Sequence, residues 1–108
     1  MNSDEKIKKY RSTIDDLDIR LLRLLNRRML ICERIGVLKQ AMGFPLRDRG
    51  RESSVIVRLQ RLNEGPLEKE AVSAIFRQIV RESRRVQTVS GTRAGGNRER
   101  SNRGRSRK

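Results

Sequence analysis

The sequence has no histidine and no tryptophan, one cysteine (Cys32), two prolines and only three aromatic residues, Tyr10, Phe44 and Phe76. Each shortage closes off a class of chemistry. Without imidazole there is no His-based acid–base catalysis and no Ser-His-Asp or Cys-His nucleophile, and most zinc-site patterns go with it. A lone cysteine makes no intramolecular disulfide, and a reducing, cytoplasmic setting is the expectation. The longest apolar run is Met29-Leu30-Ile31-Cys32, far short of the roughly 20 residues a membrane span needs. The charged N-terminus also lacks the apolar stretch of a signal peptide.

What the sequence has in plenty is positive charge. Lys and Arg number 27 against 13 Asp and Glu, a formal charge of +14 in 108 residues. That charge is unevenly placed. Residues 91–108, GTRAGGNRERSNRGRSRK, carry seven basic residues and one acidic one, with only Ala94 to bury. Such a segment has too little apolar surface to offset the entropy of ordering it. It reads as a disordered basic tail suited to weak, salt-dependent contact with nucleic acid. Residues 1–90 are read as the folded domain.

Within that domain the apolar residues follow a helical period. Ile7, Tyr10, Ile14, Leu17, Leu21, Leu24, Ile31, Ile35, Leu38 and Met42 advance mostly by threes and fours, and Gly43 with Pro45 supplies a stop. One helix of roughly 36 residues would span about 54 Å, whereas a compact domain of this size has a radius of gyration of only about 12 Å. A helix apolar along its whole length must cover the overhang, and a second copy of itself is the simplest partner. A second helix is expected from Asp48, a good N-cap, through Val55, Leu59 and Leu62 to Asn63-Glu64-Gly65. Gly50 is a poor helix former in its first turn. A third is expected from Pro66, in its first turn, to about Val89, burying Val72, Ile75, Phe76, Ile79, Val80 and Val86. No stretch alternates with period two. The fold class is therefore all-α: a three-helix protomer with a long first helix, in an intertwined helical homodimer.

The residues that interrupt the apolar stripes carry the chemistry. In the series Ile7, Ile14, Leu21, 28, Ile35, Met42 the vacant slot holds Arg28, and Lys39 returns to the same side of the helix three turns later. Between them Cys32 and Gly36 are small and leave room for a groove. Asp48 and Glu52 head the buried stripe of the second helix, with Arg51 beside them, and Ser83 and Gln87 continue the stripe of the third. Each has an ordinary reading too. Arg28 can snorkel or neutralise Glu52, Asp48 can simply cap, Cys32 fills core, and Ser83 and Gln87 can mark a helix emerging into water. Taken together they describe a polar pocket inside a helical bundle, rich in cations and donors, that suits a small polyanion carrying hydroxyls.

With these residues in view the chain resembles the all-helical chorismate mutases of the AroQ class. The likeness runs through Arg11-x-x-Ile14-x-x-Leu17-Asp18, Leu21-Leu22-x-Leu24-Leu25, Arg28, Ile35-Gly36-x-x-Lys39, Pro45-x-x-Asp48-x-x-Arg51-Glu52, Ile75-Phe76 and Ser83-x-x-x-Gln87. It covers about residues 5–90. The resemblance implies a homodimer with shared active sites, Arg11 coming from the partner protomer and Arg28, Lys39, Asp48, Arg51, Glu52, Ser83 and Gln87 from the other. It implies the Claisen rearrangement of chorismate to prephenate, on the route to phenylalanine and tyrosine, with no cofactor and no metal. Arg11 and Arg28 would clamp the carboxylates, with Ser83 adding a hydrogen bond. Lys39 and Gln87 would donate to the ether oxygen. Glu52, near Asp48, would accept from the ring hydroxyl, and Arg51 would orient those carboxylates. Because Gln87 donates at every pH, no acidic optimum is expected. The rival readings are an isochorismate pyruvate-lyase of the same fold and a helical nucleic-acid binder that works through the tail.

Overall fold

The structure is a computed structural model; it describes the backbone of residues 1–107 and side chains through residue 95. Three helices follow in order: α1 (Ser3–Met42), α2 (Arg49–Leu62) and α3 (Lys69–Arg107). No strand occurs among the described residues, and the all-α expectation holds.

Local chemistry sets most of the helix ends. Asn2 caps α1 by accepting from the Glu5 amide at 2.8 Å, and Asp4 and Glu5 place negative charge where the helix dipole favours it. Gly43 ends the helix in the left-handed region at φ 71°, and the Phe44 amide donates back to the Lys39 carbonyl at 2.9 Å. Asp48 caps α2 by accepting from the Arg51 amide at 2.9 Å. Between α2 and α3 the Asn63 side chain donates to the Leu67 carbonyl at 2.7 Å and accepts from the Gly65 amide at 3.0 Å. Gly65 sits at φ 85°, a conformation glycine adopts without strain. The bend so formed takes Pro66 out of the first turn where the sequence placed it; α3 begins three residues later, at Lys69.

The third helix is the centre of the fold. It packs against both α1 and α2, whereas among the described residues no Cα of α1 comes within 8 Å of one in α2. Val72, Ser73, Val80 and Ser83 of α3 are buried, as are Cys32 and Gly36 of α1. At the crossing of α1 and α3 the backbones nearly touch. A Cβ on Gly36 would lie 2.3 Å from the Gln87 carbonyl oxygen and 2.7 Å from its Cα, distances no real side chain tolerates. Contrary to the expectation from its small size, Gly36 opens no groove for a ligand: the backbone of α3 fills that space.

The same contact extends α3 beyond its expected end. Gly91 is buried, and a Cβ there would come within 2.9 Å of the Gly36 carbonyl oxygen. Residues 91–95 thus continue the packed helix and are not the start of a disordered tail. They dock through bare backbone, so the apolar periodicity carried no trace of them. The remainder of that expectation, residues 96–108, lies outside the residues whose side chains are described.

The assembly of three helices is flat. It measures 75 × 30 × 14 Å with a radius of gyration of 20.1 Å, against about 13 Å for a compact chain of this length. Its thinnest dimension is little more than one helix diameter, about 10–12 Å.

Candidate active site

Where α3 crosses α1, the three helices enclose a cavity of about 230 Å³. It is smaller than the roughly 300–1,000 Å³ pockets that hold drug-sized ligands. From α1 come Arg28, Cys32, Ile35 and Lys39, and from the connection and α2 come Leu46, Asp48, Arg51, Glu52 and Val55. Val80, Ser83, Arg84 and Gln87 of α3 close it. Of the eight residues singled out in the sequence, seven thus line one cavity. The eighth, Arg11, is exposed, and the rise over the helix from position 11 to position 28 puts it about 25 Å from Arg28 along α1. Its own chain's cavity is out of reach.

Each lining residue has a definable task. The Arg28 guanidinium donates through Nη1 to the Ser83 hydroxyl. That hydroxyl donates its own proton to the Ile79 carbonyl at 2.7 Å. Ser83 is therefore an acceptor that helps to fix the plane of Arg28. Arg28 retains its outer N–H groups for an anion. Glu52 does not neutralise it: among the described residues neither Arg28 nor Lys39 has a carboxylate within 4.0 Å.

Lys39 donates to the Leu46 carbonyl at 2.9 Å and to Gln87 Oε1 at 3.0 Å. An ammonium group only donates, so the amide of Gln87 must turn its oxygen towards Lys39. Its NH₂ is thereby presented elsewhere, beside the N–H that Lys39 keeps free. The near-contact of backbones at Gly36 is what allows these two side chains to meet across α1 and α3. Asp48 lines the cavity but holds the start of α2 with its carboxylate, the ordinary capping role allowed for above.

The residue that periodicity missed is Arg84. Its Nε lies 3.2 Å from Glu52 Oε2 and its Nη2 lies 3.5 Å from Oε1. Arg47 adds a longer contact to the same carboxylate at 3.8 Å. Arg84 adjoins Ser83 in sequence, about 100° further round the helix, and so falls outside the stripe traced through Val72, Phe76 and Ile79. One signal was available: Val80, Arg84, Gln87 and Gly91 form a second stripe, with steps of four, three and four.

An all-helical fold that gathers four cations (Arg28, Lys39, Arg51 and Arg84), two carboxylates and a neutral amide around a small cavity is chemically suited to a small dianion. Comparison with known proteins gives the fold a family. Residues 10–88 match the family described as chorismate mutase type II, and the chain belongs to it. It is 42% identical over 79 residues to a bifunctional chorismate mutase/prephenate dehydratase of Neisseria gonorrhoeae, a match covering 73% of this chain and 21% of that protein. With the protein of the same description from Aquifex aeolicus it shares 35% identity over 80 residues, 70% of this chain and 22% of the relative. The chain thus spans only about a fifth of the length of these relatives. Two solved forms of a chorismate mutase from Thermus thermophilus superpose on it with TM-scores of 0.71 and 0.75, at 31% and 29% identity. Those matches cover 72% and 76% of this chain, and 98% and 93% of the Thermus chains. Among the described residues no helix is long and apolar enough to cross a membrane.

Proposed function

We propose that the chain is a chorismate mutase that rearranges chorismate to prephenate in aromatic amino-acid biosynthesis. It works as a homodimer, in a reducing cytoplasmic setting that suits its single thiol. The observation that carries the reading is the Lys39–Gln87 pair at 3.0 Å, set in the same cavity as an Arg28 that has no carboxylate within 4.0 Å among the described residues.

The reaction is a [3,3] shift in which an ether C–O bond breaks as a C–C bond forms, with no proton to transfer and no covalent intermediate. A site without histidine or an activated nucleophile is under no handicap. Arg28, oriented by Ser83, takes one substrate carboxylate with its outer N–H groups, and Arg11 of a second protomer takes the other. Lys39 and the Gln87 NH₂ donate to the ether oxygen, where negative charge grows as the bond breaks. Glu52 accepts from the ring hydroxyl, with Arg51 and Asp48 at the same wall. Contacts to the carboxylates are equally strong before and during reaction, so they contribute to binding and to folding the substrate into its compact conformer. Those to the ether oxygen strengthen in the transition state and govern turnover. Even a 10⁶-fold acceleration requires about 8 kcal/mol, which several preorganised donors in a desolvated cavity supply and a single cation in water does not.

The dimer rests on two features. Large apolar side chains line the exposed N-terminal half of α1, and Arg11 lies beyond reach of its own cavity. A second α1 laid against the first would cover the former and bring the latter to a site. The direct test follows the absorbance of chorismate on incubation with the full chain and identifies the product. Prephenate is expected; pyruvate released from isochorismate, with chorismate untouched, would replace the mutase by a lyase of the same fold.

A further inference from the structure

Glu52, Val80 and Arg84 form a wall between the cavity described above and a second cleft, of about 310 Å³, on the other face of α2 and α3. Arginines dominate that cleft. Arg77, Arg81 and Arg84 follow one another at steps of four and three along a single stripe of α3, and Arg47 and Arg49 approach from the segment that enters α2. Among the described residues Glu52 is the only acidic one in its lining, and it is already shared between Arg84 and Arg47. Among the described residues Arg49, Arg77 and Arg81 form no ion pair. Like charges four residues apart on a helix repel, and five arginines lining a cleft with one carboxylate leave a local excess of positive charge. Nothing in the rearrangement uses Arg49, Arg77 or Arg81.

We propose that this cleft binds a small oxyanion of at least two negative charges, phosphate- or carboxylate-bearing, and that its occupancy acts on the catalytic cavity through Glu52. Planar guanidinium forks match either headgroup. An anion in the cleft attracts Arg84 and Arg47 away from Glu52 and repels the Glu52 carboxylate itself. Both effects drive Glu52 towards the cavity, where it accepts the substrate's hydroxyl, so the bound anion improves substrate binding. The coupling rests on the mutase reading, but the binding does not.

Calorimetry on the full chain, without substrate and in about 0.1 M chloride to screen loose surface attraction, uses inorganic pyrophosphate and citrate as separate probes. Saturable binding is expected for at least one, and the tighter of the two assigns the headgroup. Replacing Arg77→Ala and Arg81→Ala together should weaken it about tenfold or more while chorismate turnover without added anion stays unchanged; Arg49→Ala should act in the same direction. Absence of saturable binding overturns the site. So does binding undiminished in the double variant, which would put the anion in the catalytic cavity or on the C-terminal arginines. In steady-state assays the anion should lower KM about fivefold at little change in kcat. A KM that is unchanged or raised, with binding still dependent on Arg77 and Arg81, overturns the coupling.

Discussion

The two halves of α1 differ in what lies against them. In the C-terminal half Cys32 is 7% exposed and Gly36 is buried, because α3 lies against them. In the N-terminal half Tyr10, Ile14 and Leu21 are 68%, 53% and 56% exposed, with no element of the same chain over them among the described residues. The covered face of α1 is thus the one that carries Cys32 and Gly36, with Arg28 and Lys39 at the cavity beside it. The traced stripe itself stays open along the helix: Ile31, Leu38 and Met42 are 56%, 59% and 62% exposed. Contiguous exposed apolar surface of this kind marks an interaction site, and a protomer about one helix thick has no other means of burying it.

The comparison breaks most sharply at Lys39. Replacement by alanine removes one donor to the ether oxygen and also frees the Gln87 amide to rotate, so kcat should fall about 10³-fold. Helicity and sedimentation should be those of the parent, because the Lys39 ammonium is engaged within its own chain, by the Leu46 carbonyl and Gln87. A variant that turns over chorismate normally would remove Lys39 from the chemistry.

Complementation tests whether the uncovered half supplies a residue in trans. Arg11→Ala and Arg28→Ala should each lower kcat/KM about 10²-fold, since each removes a charged partner of a substrate carboxylate. After the two variants are mixed and allowed to exchange subunits, half the dimers are mixed, and each of those holds one site with both arginines intact. Activity should recover to about a quarter of the parental value. No recovery under conditions in which exchange is demonstrated would place both arginines at sites within one chain.

Much of this was legible in the sequence, for a physical reason. Arg28 stands in a seven-residue apolar series, so its oddity is local and needs no tertiary information. The stop at Gly43, the cap at Asp48 and the polar continuation at Ser83 and Gln87 are equally local. The stripe of Val80, Gln87 and Gly91 could have pointed to Arg84, but its pairing was not legible because the partner lies on another helix: only the docking of α2 on α3 brings its guanidinium to Glu52. Gly36 and Gly91 escaped because a glycine contributes to packing by what it lacks. Periodicity registers side chains, and these residues bring backbones together.

Gly36→Ala tests that crossing. The added Cβ meets the Gln87 backbone at 2.3 Å, and relieving such an overlap requires the helices to separate at a cost of about 1–3 kcal/mol. Separation also draws Gln87 from Lys39. Thermal stability and turnover should therefore fall together, whereas Lys39→Ala lowers turnover alone. A stable Gly36→Ala protein with full activity would mean that the close approach does not position the pair.

The smallest effects belong to the end of α3, and they locate the boundary of the working domain. Ending the chain after Gly95 retains Gly91 against the Gly36 carbonyl and Gly95 beside Gln40, and should leave turnover within about twofold of the full chain. Ending it after Ser90 removes both contacts at the crossing that seats Gln87. The last turn before the cut then loses the α1 surface it rested on, and helix ends without tertiary support fray. The shorter protein should melt at a lower temperature and exchange the amide hydrogens around Gln87 faster, with a modest loss of kcat. Equal melting and equal exchange in the two truncations would return the domain boundary to residue 90, where apolar periodicity alone had put it.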